Sequence, residues 1–162
     1  MTNEKSCCPT KASSQCCPKK WVMASIAAFA LTFVFEWLVH GKLLMEQYTA
    51  TASLWRTPEA IEAMMPLGIA KHALMAFIFT ALLMQWKRTQ TFGALFTSLC
   101  PVRKGFFFGA GIGLLLGINA ASAYIYMPLP QNLALAWLAA EIAKWGIAGG
   151  VLTLLFVRCS KA

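Results

Sequence analysis

VMASIAAFALTFVFEWLVHGKLLM, residues 22–45, decides the fold. No ionisable side chain occurs before Glu36, and a helix over the whole stretch rises about 36 Å at about 1.5 Å per residue. That exceeds a hydrocarbon layer about 30 Å thick, and a helix satisfies its own backbone where no water is present. A polar segment of about twenty residues precedes the stretch, and its apolar run is longer than the roughly 7–15 residues of a secretory signal. It is expected to be a retained membrane span.

Three further stretches repeat the pattern, at 66–86, 105–127 and 131–157. The whole chain agrees: 59% of its 162 residues are hydrophobic and only 12% charged, against about 45–50% and about 25% in soluble domains. The expected fold is all-α, a polytopic four-helix bundle over 21–158 preceded by a cysteine-rich tail over 1–20. Four spans with their connections leave no room for a second soluble domain.

The 14 lysines and arginines are unevenly placed. Lys5, Lys11, Lys19, Lys20, Lys87, Arg88, Arg103, Lys104, Arg158 and Lys161 fall on one side of the four spans, and only Lys42 and Arg56 on the other. The positive-inside rule then puts both termini in the cytoplasm. The net charge of +8 is divided among juxtamembrane segments, which suits contact with anionic headgroups of the bilayer. No aromatic-interleaved basic patch accompanies it, so nucleic acid is not an expected partner.

The first outer connection contains "WRTPEAIEAMMP", residues 55–66, where Thr57 can cap a short helix with Pro58 in its first turn and Glu59 and Glu62 at its positive end. This helix is expected at the interface, with Trp55, Ile61, Met64 and Met65 toward the headgroups. "PLPQN", residues 128–132, is short enough to make the last two spans antiparallel neighbours. The inner connection, 87–104, has an apolar centre that could rest on the membrane surface.

Gly105, Gly109, Gly113 and Gly117 recur every fourth residue in the third span. Such a strip lets another helix approach closely, and van der Waals packing of this kind drives association in lipid. The alanines and glycines of the fourth span, Ala136 to Gly150, supply a matching surface. A homodimer seam, or a seam with another membrane protein, is the alternative use.

Depth groups the ionisable residues. Glu36 and His40 lie about 20 and 27 Å above the inner end of the first span, and Lys71 and His72 about 8–9 Å below the outer end of the second. Asn119 falls at a similar level, and Glu141 and Lys144 reach the middle. An ion in hydrocarbon costs about 2.5–3.5 kcal/mol by insertion scales, so such groups face partners or a wet cavity. Glu36 with Lys71 is the expected cross-helix pair. These seven residues form either a polar pocket, with Glu36 and His40 titrating on a proton or ion pathway, or an ion-pair network that fixes helix register. Lys42 is expected to snorkel to the interface.

Soft-metal chemistry is suggested by the tail. "CCPTKASSQCCPKK", residues 7–20, holds Cys7, Cys8, Cys16 and Cys17, thiols that stay reduced in the cytoplasm and suit Cu(I), Zn(II) or Hg(II). Redox sensing, palmitoylation and a tail without ligand are the alternatives. Met45, Met64, Met65 and Met127 near the outer face could extend a Cu(I) path or simply pack. His40 and His72 are the only histidines and could ligate haem, though a histidine bonded to a carboxylate explains them more simply.

"FEWLVHGKLLMEQYTATASLWR", residues 35–56, and "MPLPQNLALAW", residues 127–137, resemble a family of small four-helix bacterial inner-membrane proteins. His40, Gly41, Tyr48, Leu54, Trp55 and Arg56 carry the likeness, which extends over about 22–157. The resemblance implies fold and membrane location and brings no activity with it; the cysteine tail lies outside it. Enzyme signatures are absent: the sequence has no aspartate, no nucleophile elbow, no phosphate loop and no H-E-x-x-H helix. Two functions fit, binding or transport of a soft metal cation with the tail as acceptor, and a non-catalytic scaffold or accessory subunit.

Overall fold

The computed structural model describes residues 18–89 and 100–158, and every element in them is helical. The cysteine tail and the centre of the 87–104 connection lie outside the described residues. In chain order the elements are α1 (Pro18–Leu38), a π-helical turn (Val39–Leu43), α2 (Met45–Ala50), a 3₁₀ turn (Ala52–Leu54), α3 (Pro58–Thr89), α4 (Pro101–Ala121), α5 (Ala123–Tyr126) and α6 (Gln131–Arg158). Four segments are long and apolar enough to cross a membrane: Lys19–Leu43, Pro58–Lys87, Pro101–Tyr126 and Gln131–Leu155. The chain is a multi-pass membrane protein built as an all-α bundle.

The second span is longer than its sequence pattern. The expected break at Pro66 does not occur, and the short interfacial helix is the first part of α3. Thr57 begins it as expected: its carbonyl accepts the Ile61 N–H at 3.0 Å and its hydroxyl accepts the Ala60 N–H at 3.4 Å. Pro66 lacks the N–H that would reach the Glu62 carbonyl. Glu62 is exposed near the end of the bundle, where solvent can take over that bond.

The termini of the four long helices define two ends of the molecule. One, the termini end, gathers Ala24 of α1, Lys87 of α3 and Thr153 of α6 around a cavity of about 30 Å³. The other, the loop end, carries α2, the 3₁₀ turn and α5. Between them runs an apolar core of Ala28, Ala76, Phe79, Leu83, Trp145, Ala148 and Leu152, drawn from α1, α3 and α6, with Phe108 and Ile112 of α4 against it.

α4 packs on α6 along the glycine strip. A Cβ added at Gly105 would overlap the carbonyl of Gly149, one at Gly109 the carbonyl of Trp145, and one at Gly113 the carbonyl of Glu141. At Gly117 it would stand 2.8 Å from Leu138 Cδ1. Each step of four along α4 is a step of about four back along α6, so the backbones touch over the length of an antiparallel pair. All four glycines are buried by α6, which occupies the face that a homodimer seam would need. Outside the seam and the core, large apolar side chains on all four spans, Val34, Leu74, Leu115 and Leu135 among them, are exposed, as lipid-facing residues are.

Candidate functional site

α1, α3 and α6 each bring one or two charged or titratable groups to the same level, on the loop side of the apolar core. Glu36 is the centre. Its Oε2 lies 3.0 Å from His40 Nε2, its Oε1 is bonded by Lys144 Nζ, and His72 Nε2 stands 3.9 Å from the same oxygen. Lys144 also donates to Glu141 Oε1 at 2.6 Å, and the Trp145 indole N–H donates to Glu141 Oε2 at 2.8 Å. Lys144 retains only 6% of its side-chain exposure, so its charge is tied to the two carboxylates that hold it.

Hydrogen-bond directions follow from these partners. His72 Nδ1 lies 2.9 Å from the Gly68 carbonyl, an acceptor, so that nitrogen carries the proton. His40 Nε2 faces a carboxylate and therefore donates, which leaves Nδ1 of a neutral ring as an acceptor. Tyr48 reaches it at 2.5 Å, while the same phenol oxygen accepts the Trp137 indole N–H at 2.7 Å. The Tyr48 phenol is held above its ordinary pKa, chiefly by burial and further by the Glu36 carboxylate, against the opposing pull of the Trp137 bond. It keeps the proton it donates.

The backbone brings Tyr48 back to His40. In a straight helix, eight residues would separate them by about 12 Å along the axis. Instead the Leu44 N–H closes on the Val39 carbonyl at 2.9 Å, five residues back, and the chain turns at Leu44 into α2. Such wide turns re-aim the residues that follow them. Leu44 is buried with Leu129 and Leu133, and Val39, Tyr48, Trp55 and Trp137 pack around them. The rings run in sequence, His40 to Tyr48 at 5.9 Å, Tyr48 to Trp55 at 5.4 Å and Trp55 to Trp137 at 6.1 Å between centroids. The Trp55 indole N–H donates to the Thr51 hydroxyl at 2.9 Å. This aromatic cap joins both loop-end connections over the Glu36 network.

Five of the seven residues grouped by depth therefore meet: Glu36, His40, His72, Glu141 and Lys144. Two do not. Lys71 is exposed and does not make the expected pair with Glu36, because its neighbour His72 occupies the inward face of α3 and Lys144 takes that carboxylate. Asn119 is exposed on α4, and it is its backbone carbonyl that accepts the Ser122 hydroxyl at 2.6 Å. Lys42 lies over the Trp37 ring, 5.4 Å from its centroid.

Trp55 also departs from expectation, since it packs in the cap instead of dipping toward headgroups. Met45, Met64, Met65 and Met127 are exposed at the loop end. Among the described residues no group of three or more histidine, cysteine or acidic side chains is arranged to hold a metal ion. The Nε2 atoms of His40 and His72, those a haem iron would take, both turn toward Glu36. Cys7, Cys8, Cys16 and Cys17 lie outside the described residues.

Tyr48, Trp137 and Trp145 complete the network and were not among the residues grouped by depth. For the two tryptophans the signal is in the sequence: Trp137, Glu141 and Trp145 are spaced by four on one face of α6, and a buried indole N–H needs an acceptor.

No protein-family model, no curated protein and no solved structure matches this chain.

Proposed function

We propose that the chain is a small non-catalytic inner-membrane protein, both termini cytoplasmic, that serves as a scaffold or accessory subunit. The observation that carries this is Lys144, buried and held at once by Glu36 of α1 and Glu141 of its own helix, with His72 of α3 on the same carboxylate. Charges placed this way specify which helices meet and in what register, a recognised use of buried ionic groups. Orientation rests on the lysine and arginine count, and placement in the bacterial inner membrane on the resemblance carried by residues 35–56 and 127–137.

The test is a neutral replacement of the whole cluster, Glu36→Gln, Glu141→Gln and Lys144→Met together. Removing all members at once is close to neutral in other buried clusters, whereas removing one is not. A triple variant that folds and restores the phenotype of a deletion strain supports a packing role. One that folds and fails to restore it makes the network itself the working site and rejects the scaffold.

A second reading rests on the tail. Four thiols within 7–17 stand directly before α1, which supports capture of Cu(I), Zn(II) or Hg(II) at the membrane surface. Elemental analysis of the purified chain with and without residues 1–17 decides it: stoichiometric metal lost with the tail supports the reading, and metal-free full-length protein after loading rejects it.

A further inference from the structure

His40 stands between two groups that make opposite demands on it. On one side Glu36, an ionised acceptor fixed by Lys144, requires a proton on Nε2. On the other, the Tyr48 phenol, whose oxygen accepts from Trp137, offers its O–H to a lone pair on Nδ1. The neutral ring with its proton on Nε2 meets both demands at once.

We propose that His40 is a proton-binding site whose occupancy releases the aromatic cap at the loop end. One proton from the loop-side water adds to Nδ1; an N–H bond forms there and nothing leaves. The lone pair that accepted the Tyr48 hydroxyl is consumed. Nδ1–H now faces the phenol oxygen, which must turn its O–H away to accept there while it also carries the Trp137 bond, so the phenol proton loses its acceptor. At the same time the imidazolium is drawn to Glu36. The ring moves from the cap toward the core, and the contact between the first connection and α6 opens.

His40 is the least enclosed member of the network and lies nearest the loop end. Its side chain keeps 34% of its exposure, against 21% for Glu36, 20% for His72, 19% for Glu141 and 6% for Lys144. The charged and titratable groups facing it are Glu36 on its own helix, Tyr48 on α2, His72 on α3, and Glu141 with Lys144 on α6. Lys42 is turned onto Trp37 and Lys71 is exposed. On the termini side, Ala28, Ala76, Phe79 and Trp145 close the core. Imidazole is the side chain whose ordinary titration falls between about pH 5 and 8, where such a device operates.

The experiment uses the full chain in lipid nanodiscs. Hydrogen exchange of peptides covering 44–57, corrected for intrinsic rates, is compared at about pH 8 and about pH 5. The expected result is a loss of protection of at least about tenfold on acidification, the equivalent of about 1.4 kcal/mol, absent in His40→Gln and retained in His72→Gln. Tyr48→Phe is expected to be unprotected at both values. Unchanged protection in the wild type, or a response that survives in His40→Gln or vanishes in His72→Gln, overturns the proposal. Nitrogen-15 imidazole spectra of the unaltered chain provide an independent measurement: Nδ1 of His40 is expected bare at the alkaline value and protonated at the acid one. A proton on Nδ1 at about pH 8 overturns the proposal as well. Because these readouts concern the cap alone, their failure leaves the scaffold reading to its own test.

Discussion

The seam between α4 and α6 and the contact of α1 with α6 hold the bundle by different physics. Along the seam the backbones meet where glycines leave room. At α1, a buried ammonium and two carboxylates do the joining, beneath an aromatic cap. The seam discriminates by shape and tolerates no added atom. The α1 contact discriminates by charge, tolerates a change of size, and fails when one partner is left without its counter-charge.

The largest effect should come from separating these modes at Lys144. Lys144→Met leaves two carboxylates without their cation, and breaking a buried pair costs about 3–5 kcal/mol, read as lower thermal stability in mild detergent. Adding Glu36→Gln and Glu141→Gln should recover most of that loss. If the triple variant is no more stable than the single one, charge complementarity is not what joins α1 to α6.

Next in size is Gly109→Ala, whose Cβ would overlap the Trp145 carbonyl. Backbone cannot step aside as a side chain does, so about 1–3 kcal/mol of overpacking is expected, seen as a lowered unfolding midpoint. Tyr48→Phe should be milder, about 1 kcal/mol for the hydrogen bonds lost in the cap, measured in the same way. Gly111→Ala should do the reverse of Gly109→Ala, because nothing lies within 4 Å of its Cβ position. Relief of glycine's helix penalty stabilises by about 0.5–1 kcal/mol. A loss at Gly111 equal to that at Gly109 would mean that the seam is not confined to one face.

The spans were legible because lipid imposes a length and a composition on a helix, and the seam because its spacing of four survives in the letters. Helix ends were less so. Pro66 read as a beginning, yet α3 runs through it from Pro58, because a proline near an exposed end breaks one bond and no more. Depth brought Glu36, His40, His72, Glu141 and Lys144 together but also admitted Lys71 and Asn119, since depth says nothing of which way a residue faces around its helix. Angle decided between Lys71 and His72, adjacent in sequence and about 100° apart on α3. Tyr48 was hidden for another reason: only the turn at Leu44 folds it over His40, and no residue pattern announces a π-helical turn.

The ion pair that joins the first helix to the last also sets a timetable. Glu36 precedes Lys144 by 108 residues, which a ribosome adds in about 5–20 s. For that interval α1 must remain in the bilayer with its carboxyl group lacking its lysine, against the insertion penalty of an acid in lipid. α4 and α6, joined by a short connection, can pair as soon as both have entered. The newborn chain therefore has a stage at which its first helix, already in the bilayer, still awaits the counter-charge carried by its last.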